Sequence, residues 1–357
     1  MREIKLSPGG LRALRETSGY SVEEIAKRLK TSKEKIVSVE EGKSSFTLIQ
    51  IKKLANIYRR PLTAFFSSSI PELPKVPDYR INREKRLTPQ VYLAERRAHY
   101  LSERIKELSV KRSQIPSFSE GLSADELAKE FRRRLKIELI KSQKPDELLA
   151  YYKKVLEDIL TIIIIEYPLK ADDVRAFSIY SDVSVIVLNE EDKSSIKLFS
   201  LFHEVCHLLK KTAGICSLEI EQQNQDMESY CNLFAAEFLV PSDDLESEVK
   251  RFGQIGDEAI NQLTEIYGVS KQVIMIRLLW LRYVEKKKYE QFKKKVQEGV
   301  KQKRFGRRNW DKVFLNRVGN LPLKEIKLAY GEGKITFYEA TTVLDLKTKY
   351  AEKFISG

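Results

Sequence analysis

The sequence predicts an α+β protein, mostly helical, in which an all-α helix-turn-helix bundle precedes a larger domain built around one small sheet. Three observations carry this. Capped helical patterns follow one another closely over the first 70 residues, β-branched runs are confined to residues 161–188, and helical periodicity fills most of the remainder. A chain of 357 residues has room for two or three domains, each with its own core.

Composition narrows the function classes. The chain is 42% hydrophobic and 32% charged, with 64 basic residues against 51 acidic ones and a net charge of +13. The first 70 residues hold 14 Lys or Arg and 7 Asp or Glu, a local +7, which favours a polyanionic partner. On charge alone, a solvated lysine-rich surface explains the total equally well. Three cysteines (Cys206, Cys216, Cys231) are too few for a disulfide scaffold, and no charged-then-apolar leader opens the sequence, so a reducing cytoplasm is expected. The longest apolar run, Leu160 to Ile165, is far short of the roughly 20 residues a bilayer span requires, so it reads as a buried strand and no membrane partner is expected.

Taken in order, Ser21-Val-Glu-Glu24 and Thr31-Ser-Lys-Glu34 each place a hydroxyl three residues before a glutamate, the pattern of a capping box at a helix start. Ile25, Ala26 and Leu29 form the apolar face of the first helix and Ile36 with Val39 that of the second, leaving Lys33, Glu34, Lys35 and Ser38 outward; Gly42 ends the second helix. A helix from Thr47 to Ile57 and a short one after Pro61 complete a compact bundle. Lys33, Lys35, Ser38 and Lys43 are residue types that pair with phosphates and base edges, which points to double-stranded DNA, while a dimerisation or docking module is the alternative and a homodimer is compatible with either. The string Ser21…Ile25-Ala26…Leu29…Ser32…Ile36…Ser38…Glu40-Glu41-Gly42-Lys43, followed by Leu54-Ala55 and Pro61-Leu62, resembles the Xre (Cro/repressor-type) helix-turn-helix family over residues 10–66. That resemblance implies that the helix from Ser32 to Glu41 lies in the major groove, with Glu34 at its exposed start repelling phosphate.

Residues 1–70 thus form one expected domain. Pro71, Pro74, Pro77 and Pro89 then interrupt helical pattern, and residues 71–122 read as a linker followed by an arginine-rich helical arm from Thr88 to about Ile115. Two helices are expected from Ser123 to Ile159, broken near Pro145, then strands at Ile162–Ile165 and Val183–Val187, with helices resuming at Ser194. Residues 123–290 form the second expected domain. Lysines cluster from Lys286 to Arg308, and residues 291–357 read as a basic helical appendage.

Two of only three histidines stand four apart in His203-Glu204-Val205-Cys206-His207. On a helix both imidazoles share a face and can reach one Zn²⁺, with Glu204 beside an activated water as general base, which is the chemistry of peptide hydrolysis. An amphipathic helix with two hydrogen-bonded histidines is the alternative. Downstream, Glu228 opens a helix-period stretch to Pro241 whose Phe234, Ala235, Phe238 and Leu239 would pack it on the first motif helix, and Glu228 can complete the site. The His-Glu-x-x-His helix followed by Glu228-x-x-x-Asn232-x-Phe-Ala-Ala…Pro241 closely resembles the ImmA/IrrE family of zinc metallopeptidases, a likeness that extends over about residues 125–290.

The resemblance implies a zincin-like metallopeptidase fold, His203, His207 and Glu228 as zinc ligands, Glu204 as the catalytic base, and a transcriptional repressor as the protein substrate. Glu237 is the rival acidic ligand, but it lies about two and a half turns beyond Glu228, so one ion cannot readily take both. Cys206 and Cys231 read as small residues of the site wall, with a redox or metal role as the alternative. No oxyanion-stabilising residue is assignable among His99, Tyr180 and Tyr230. The competing function is a DNA-binding regulator or antitoxin-like protein whose peptidase-like domain serves as a sensor or interaction module.

Overall fold

A computed structural model describes residues 3–4, 8–67, 87–171, 174–212, 215–217, 225–253, 255–298, 309–346 and 348–355. The chain divides into two compact units, residues 1–97 with 168–171, and residues 98–167 with 172–357. It is α+β and mostly helical, as expected. Among the described residues no helix is long and apolar enough to cross a membrane. Pro71, Pro74 and Pro77 of the expected linker lie outside the described residues.

The first unit opens with β1 (Glu3–Ile4), α1 (Pro8–Glu16), α2 (Val22–Leu29) and α3 (Lys33–Glu40). After these come β2 (Phe46–Thr47), antiparallel to β1, and α4 (Leu48–Tyr58), followed by a 3-10 turn at Leu62–Phe65. Its core is Leu11, Leu14, Ile25, Leu29, Ile36, Val39, Ile51, Leu54, Tyr58 and Phe65. Ser21 and Glu24 form the expected capping box on α2. The second expected box does not form: Ser32, not Thr31, caps α3, accepting from the Lys35 N–H at 3.2 Å, and a lysine at that third position cannot return the bond. The cause is the end of α2, where Lys30 turns left-handed (φ 56°) and the Thr31 N–H is already donated to Ala26 O at 3.0 Å, a Schellman closure that leaves Ser32 as the first residue free to cap. Arg15 ties α1 to α3 through a bidentate pair with Glu40, 2.7 and 2.9 Å, both side chains nearly buried.

Pro89 does not break a helix but begins one, α5 (Pro89–Leu108), a position where the missing N–H costs nothing. In the second unit α6 (Ala124–Arg134) and α7 (Pro145–Leu160) precede β3 (Ile163–Tyr167), β4 (Val174–Ile179) and β5 (Val185–Asn189). Then come α8 (Ser194–Leu209), β6 (Ile215–Ser217), α9 (Gln225–Leu239), α10 (Ser242–Phe252), α11 (Asp257–Tyr267), α12 (Lys271–Trp280) and α13 (Lys286–Glu298). The chain continues through α14 (Trp310–Val318), α15 (Asn320–Gly331), α16 (Phe337–Leu344) and α17 (Thr348–Ile355). The four strands order as β3-β5-β4-β6, with β3 parallel to β5 and the other pairs antiparallel. Ile163 pairs with Val185 and Tyr167 with Asn189, so β3 and β5, buried along nearly their whole length, read as the continuous apolar runs seen in the sequence.

The core of this unit fills the space between the sheet and α6–α9, with Phe131, Tyr152, Phe202, Phe234 and Phe238 at its centre. Phe202 stacks on Phe238 with ring centroids 4.0 Å apart, joining α8 to α9. A buried ionic cluster fixes the start of α8 to the sheet: Glu166 of β3 accepts from Lys153 of α7 at 3.0 Å and from Lys197 of α8 at 2.6 Å. Helices α14 and α15 lie against β3. Glu157 of α7 accepts from the Asn320 N–H at 3.1 Å and its side-chain amide at 2.6 Å, so a buried carboxylate caps α15. Gly319 (φ +83°) makes that approach feasible, since a Cβ there would sit 3.0 Å from Ile164 O.

Candidate metal centre and nucleic-acid face

The outward side of α3 exposes Lys33, Glu34 and Val37, with Lys35 and Ser38 half-buried. Lys33 pairs with Glu23 at 3.0 Å and holds that carboxyl down to about 2, while Lys43 pairs with Glu41 at 2.7 Å. The Lys35 ammonium is donated to Ser44 Oγ. The four residues expected to face DNA therefore lie on α3 and the turn after it, but their three cations are held by local partners in the free protein. Exposed pairs of this kind are weak, so phosphates can replace the carboxylates.

α8 is buried continuously from Lys197 to Leu208, an apolar helix that carries three titratable motif groups inside the core. His203, Glu204 and His207 are 1%, 0% and 2% exposed. The i,i+4 spacing brings the two Nε2 atoms within 3.1 Å of each other. Their outer nitrogens are tethered: His203 Nδ1 lies 2.9 Å from Asn232 Oδ1 of α9, and His207 Nδ1 lies 3.0 Å from Thr212 Oγ1. An amide oxygen only accepts, so Asn232 fixes the His203 proton on Nδ1 and leaves the Nε2 lone pair facing His207. Glu228, on the first turn of α9, closes the triangle, with carboxylate oxygens 3.3 Å from His203 Nε2 and 3.4 Å from His207 Nε2. The three ligand-type atoms lie within 4.8 Å of one another.

The electrostatics follow from this packing. Burial alone would push the Glu228 carboxyl up, but the two imidazoles, which donate to it when protonated, outweigh it and hold the group well below the ordinary carboxylate range. Burial opposes charge on His207 too, yet Glu228 and Glu204 raise it above its ordinary value. Glu204, unlike Glu228, is raised: full burial pushes it up, against the pull of the two histidines and of Ser178. Ser178 of β4, itself fully buried, donates its hydroxyl to Glu204 Oε2 at 2.7 Å. Glu204 Oε1 is buried without a hydrogen-bond partner among the described residues.

Glu237 stands apart from this cluster. It is buried in an ion pair with Arg277 of α12 and accepts from Ser242 Oγ at 2.7 Å, fastening the end of α9 to α10 and α12. Cys206 and Cys231 are fully buried in the surrounding core. Tyr230 donates to Leu122 O at 2.8 Å. Sequence reasoning assigned no role to Asn232, and it missed Thr212 and Ser178 altogether. A polar residue inside the apolar run Ala176-Phe177-Ser178-Ile179 was the available signal, since a buried hydroxyl needs a partner.

Comparison with known families agrees with the two halves of this description. The helix-turn-helix domain matches residues 10–64, and the IrrE N-terminal-like domain of the M78 peptidases matches residues 157–279, which contain α8, α9 and the whole sheet. No curated protein matches the chain. The protein joins an N-terminal helix-turn-helix domain to an IrrE N-terminal-like domain.

Proposed function

We propose that the protein is a DNA-binding, zinc-dependent metalloendopeptidase of the His-Glu-x-x-His type, and that it cleaves a transcriptional repressor to relieve repression. The observation that carries this reading is the convergence of His203, His207 and Glu228 on one point, beside a carboxylate, Glu204, that has one oxygen held and one unengaged. Two neutral imidazoles and a carboxylate are a donor set that suits zinc. The spacing also fits: the two Nε2 atoms stand 3.1 Å apart and each has a Glu228 oxygen within 3.4 Å, Oε2 for His203 and Oε1 for His207, while ligands about 2.1 Å from a tetrahedral ion stand roughly 3.4 Å apart.

His203, His207 and Glu228 would hold the ion, and zinc bound there supplies Lewis acidity toward a peptide carbonyl and toward water. Glu204 Oε1 accepts a proton from the attacking water as its oxygen bonds to the carbonyl carbon. The same oxygen returns the proton to the amine nitrogen as the C–N bond breaks. Ser178 keeps Oε2 occupied, so the proton-accepting oxygen is the one without a partner. The α3 face, with Lys33, Lys35, Ser38 and Lys43, would dock the chain on duplex DNA, where DNA-bound repressors are found.

The test combines metal analysis with co-expression. Purified protein is expected to carry one zinc per chain, Glu228→Ala to lose it and Glu237→Ala to keep it. Glu204→Gln is expected to keep zinc and fold yet leave a co-expressed candidate repressor intact on an immunoblot. Equal relief of repression by wild type and Glu204→Gln, with the repressor uncut, would show that the chain acts by binding and that its second unit is a sensor.

A further inference from the structure

The most basic stretch of the chain lies in neither matched segment. Residues 286–308 hold 11 Lys or Arg against 2 Asp or Glu, a net +9 where the whole chain carries +13. Its described part is α13. Tyr289 is 7% exposed in the core of the second unit and Phe292 packs against that core, so the apolar side of α13 is already used. On the other side Lys286, Lys287 and Lys294 are exposed and form no ion pair with another described residue. Lys287 and Lys294 are seven residues apart, about two turns, and so share a face. Lys288, also exposed, donates to Ile255 O at 2.8 Å and steadies the helix start.

We propose that the lysine face of α13 is a second nucleic-acid contact, which grips the phosphate backbone of duplex DNA without reading its sequence. Ammonium groups without a carboxylate partner among the described residues, set along one helix, are point charges that phosphates neutralise with release of counterions. A membrane surface fits less well, because an interfacial helix must insert its apolar side and here that side lies in the protein core. A protein interface fits less well too, because such patches are depleted in lysine at their centre. The choice of duplex DNA among polyanions rests on the DNA-binding reading of the first unit.

The experiment uses the full chain and a random-sequence duplex, with binding followed by fluorescence anisotropy from about 50 to about 200 mM KCl. Three proteins are compared: wild type, Lys286→Gln/Lys287→Gln/Lys294→Gln, and the same three positions changed to Arg. Glutamine and arginine match lysine in helix propensity, so α13 is retained. The glutamine variant is expected to show a log–log salt slope shallower by about 0.9 per lost contact, about 2.7 in all, so that wild type loses about 40-fold more affinity than the variant across this salt range. The arginine variant is expected to behave as wild type. An unchanged slope and affinity in the glutamine variant overturns the inference, as does wild-type binding to phosphatidylserine vesicles in preference to the duplex. A parallel Lys33→Gln/Lys43→Gln variant separates the two readings. If that change abolishes binding while the α13 change does nothing, the α3 reading stands and this one fails; the reverse pattern rejects α3 and leaves α13.

Discussion

The α3 face and the α8–α9 cluster both arise from residues spaced three or four apart on a helix, yet they differ in almost every physical respect. On α3 the working groups are exposed, long and flexible, and their partners Glu23, Glu41 and Ser44 are local in sequence. In the cluster they are short or rigid and buried, and they meet residues more than 20 positions away, Ser178 on β4 and Asn232 and Glu228 on α9, with only Thr212 close in sequence to its partner His207. An exposed face can rearrange around a partner at little cost, because water satisfies whatever the partner does not. A buried site cannot, since an unpaired polar group there carries its full desolvation penalty. The first design suits an adaptable, salt-sensitive contact, and the second a fixed geometry.

Mutations can break that contrast or sharpen it. The largest expected effect is at Arg277, whose removal leaves the Glu237 carboxylate in the core with its Ser242 hydrogen bonds but no counter-charge. Arg277→Ala should lower the stability of the second unit by about 3–5 kcal/mol in urea unfolding, and a joint change of Arg277 and Glu237 to Met should recover most of it. A loss no greater than that of a surface substitution would mean that this pair is far more solvated than its burial indicates. Next comes Asn232→Ala, which frees the His203 ring; zinc affinity, measured by chelator competition, should fall about 10- to 100-fold with the fold retained.

The pH dependence of stability tests burial more finely. Burial pushes the Glu157 carboxyl up, although Lys153 and the donors from Asn320, Leu321 and Ile164 pull it down. A carboxyl raised in the folded state contributes stability that is complete below its unfolded value, near 4.5, and is lost as pH rises through the folded value. Wild type should therefore lose part of its thermal stability as pH climbs above 4.5, and Glu157→Gln should flatten that part of the melting-temperature profile. An identical slope in both proteins would remove Glu157 as its source. The smallest effect is expected on the first unit, where Ser21→Ala removes one half of a capping box and should cost about 1 kcal/mol, read from the unfolding midpoint of the full chain's first transition. A cost comparable to that of Arg277→Ala would contradict the claim that the exposed face is the tolerant one.

Much was legible in the residues because the signals are periodic and local. The start of α8, the α2 cap, and the pairing of His203 with His207 follow from helical spacing and need no knowledge of the rest of the chain, whereas α9 begins at Gln225, three residues before the Glu228 at which the pattern starts. Spacing along one helix showed only that Glu228 and Glu237 cannot both serve one ion; the choice of Glu228 came from the family resemblance, and in the fold Glu228 reaches the histidines while Glu237 faces Arg277. The cap of α3 was misplaced by one residue because hydroxyl-to-glutamate spacing is blind to a backbone N–H already committed to the preceding helix.

What the sequence determined by itself, then, is that the motif helices α2, α3, α8 and α9 exist and which of their residues share a face, since a 3.6-residue period is written in the order of the side chains. Only the tertiary structure decided that Ser178 meets Glu204, that Arg277 neutralises Glu237, and that Glu157 caps α15 from 163 residues away. These pairings join segments far apart in the chain, and their residue types are common. Nothing in the order of residues selects one partner from many until packing has removed the others and burial has made each remaining polar group find its match.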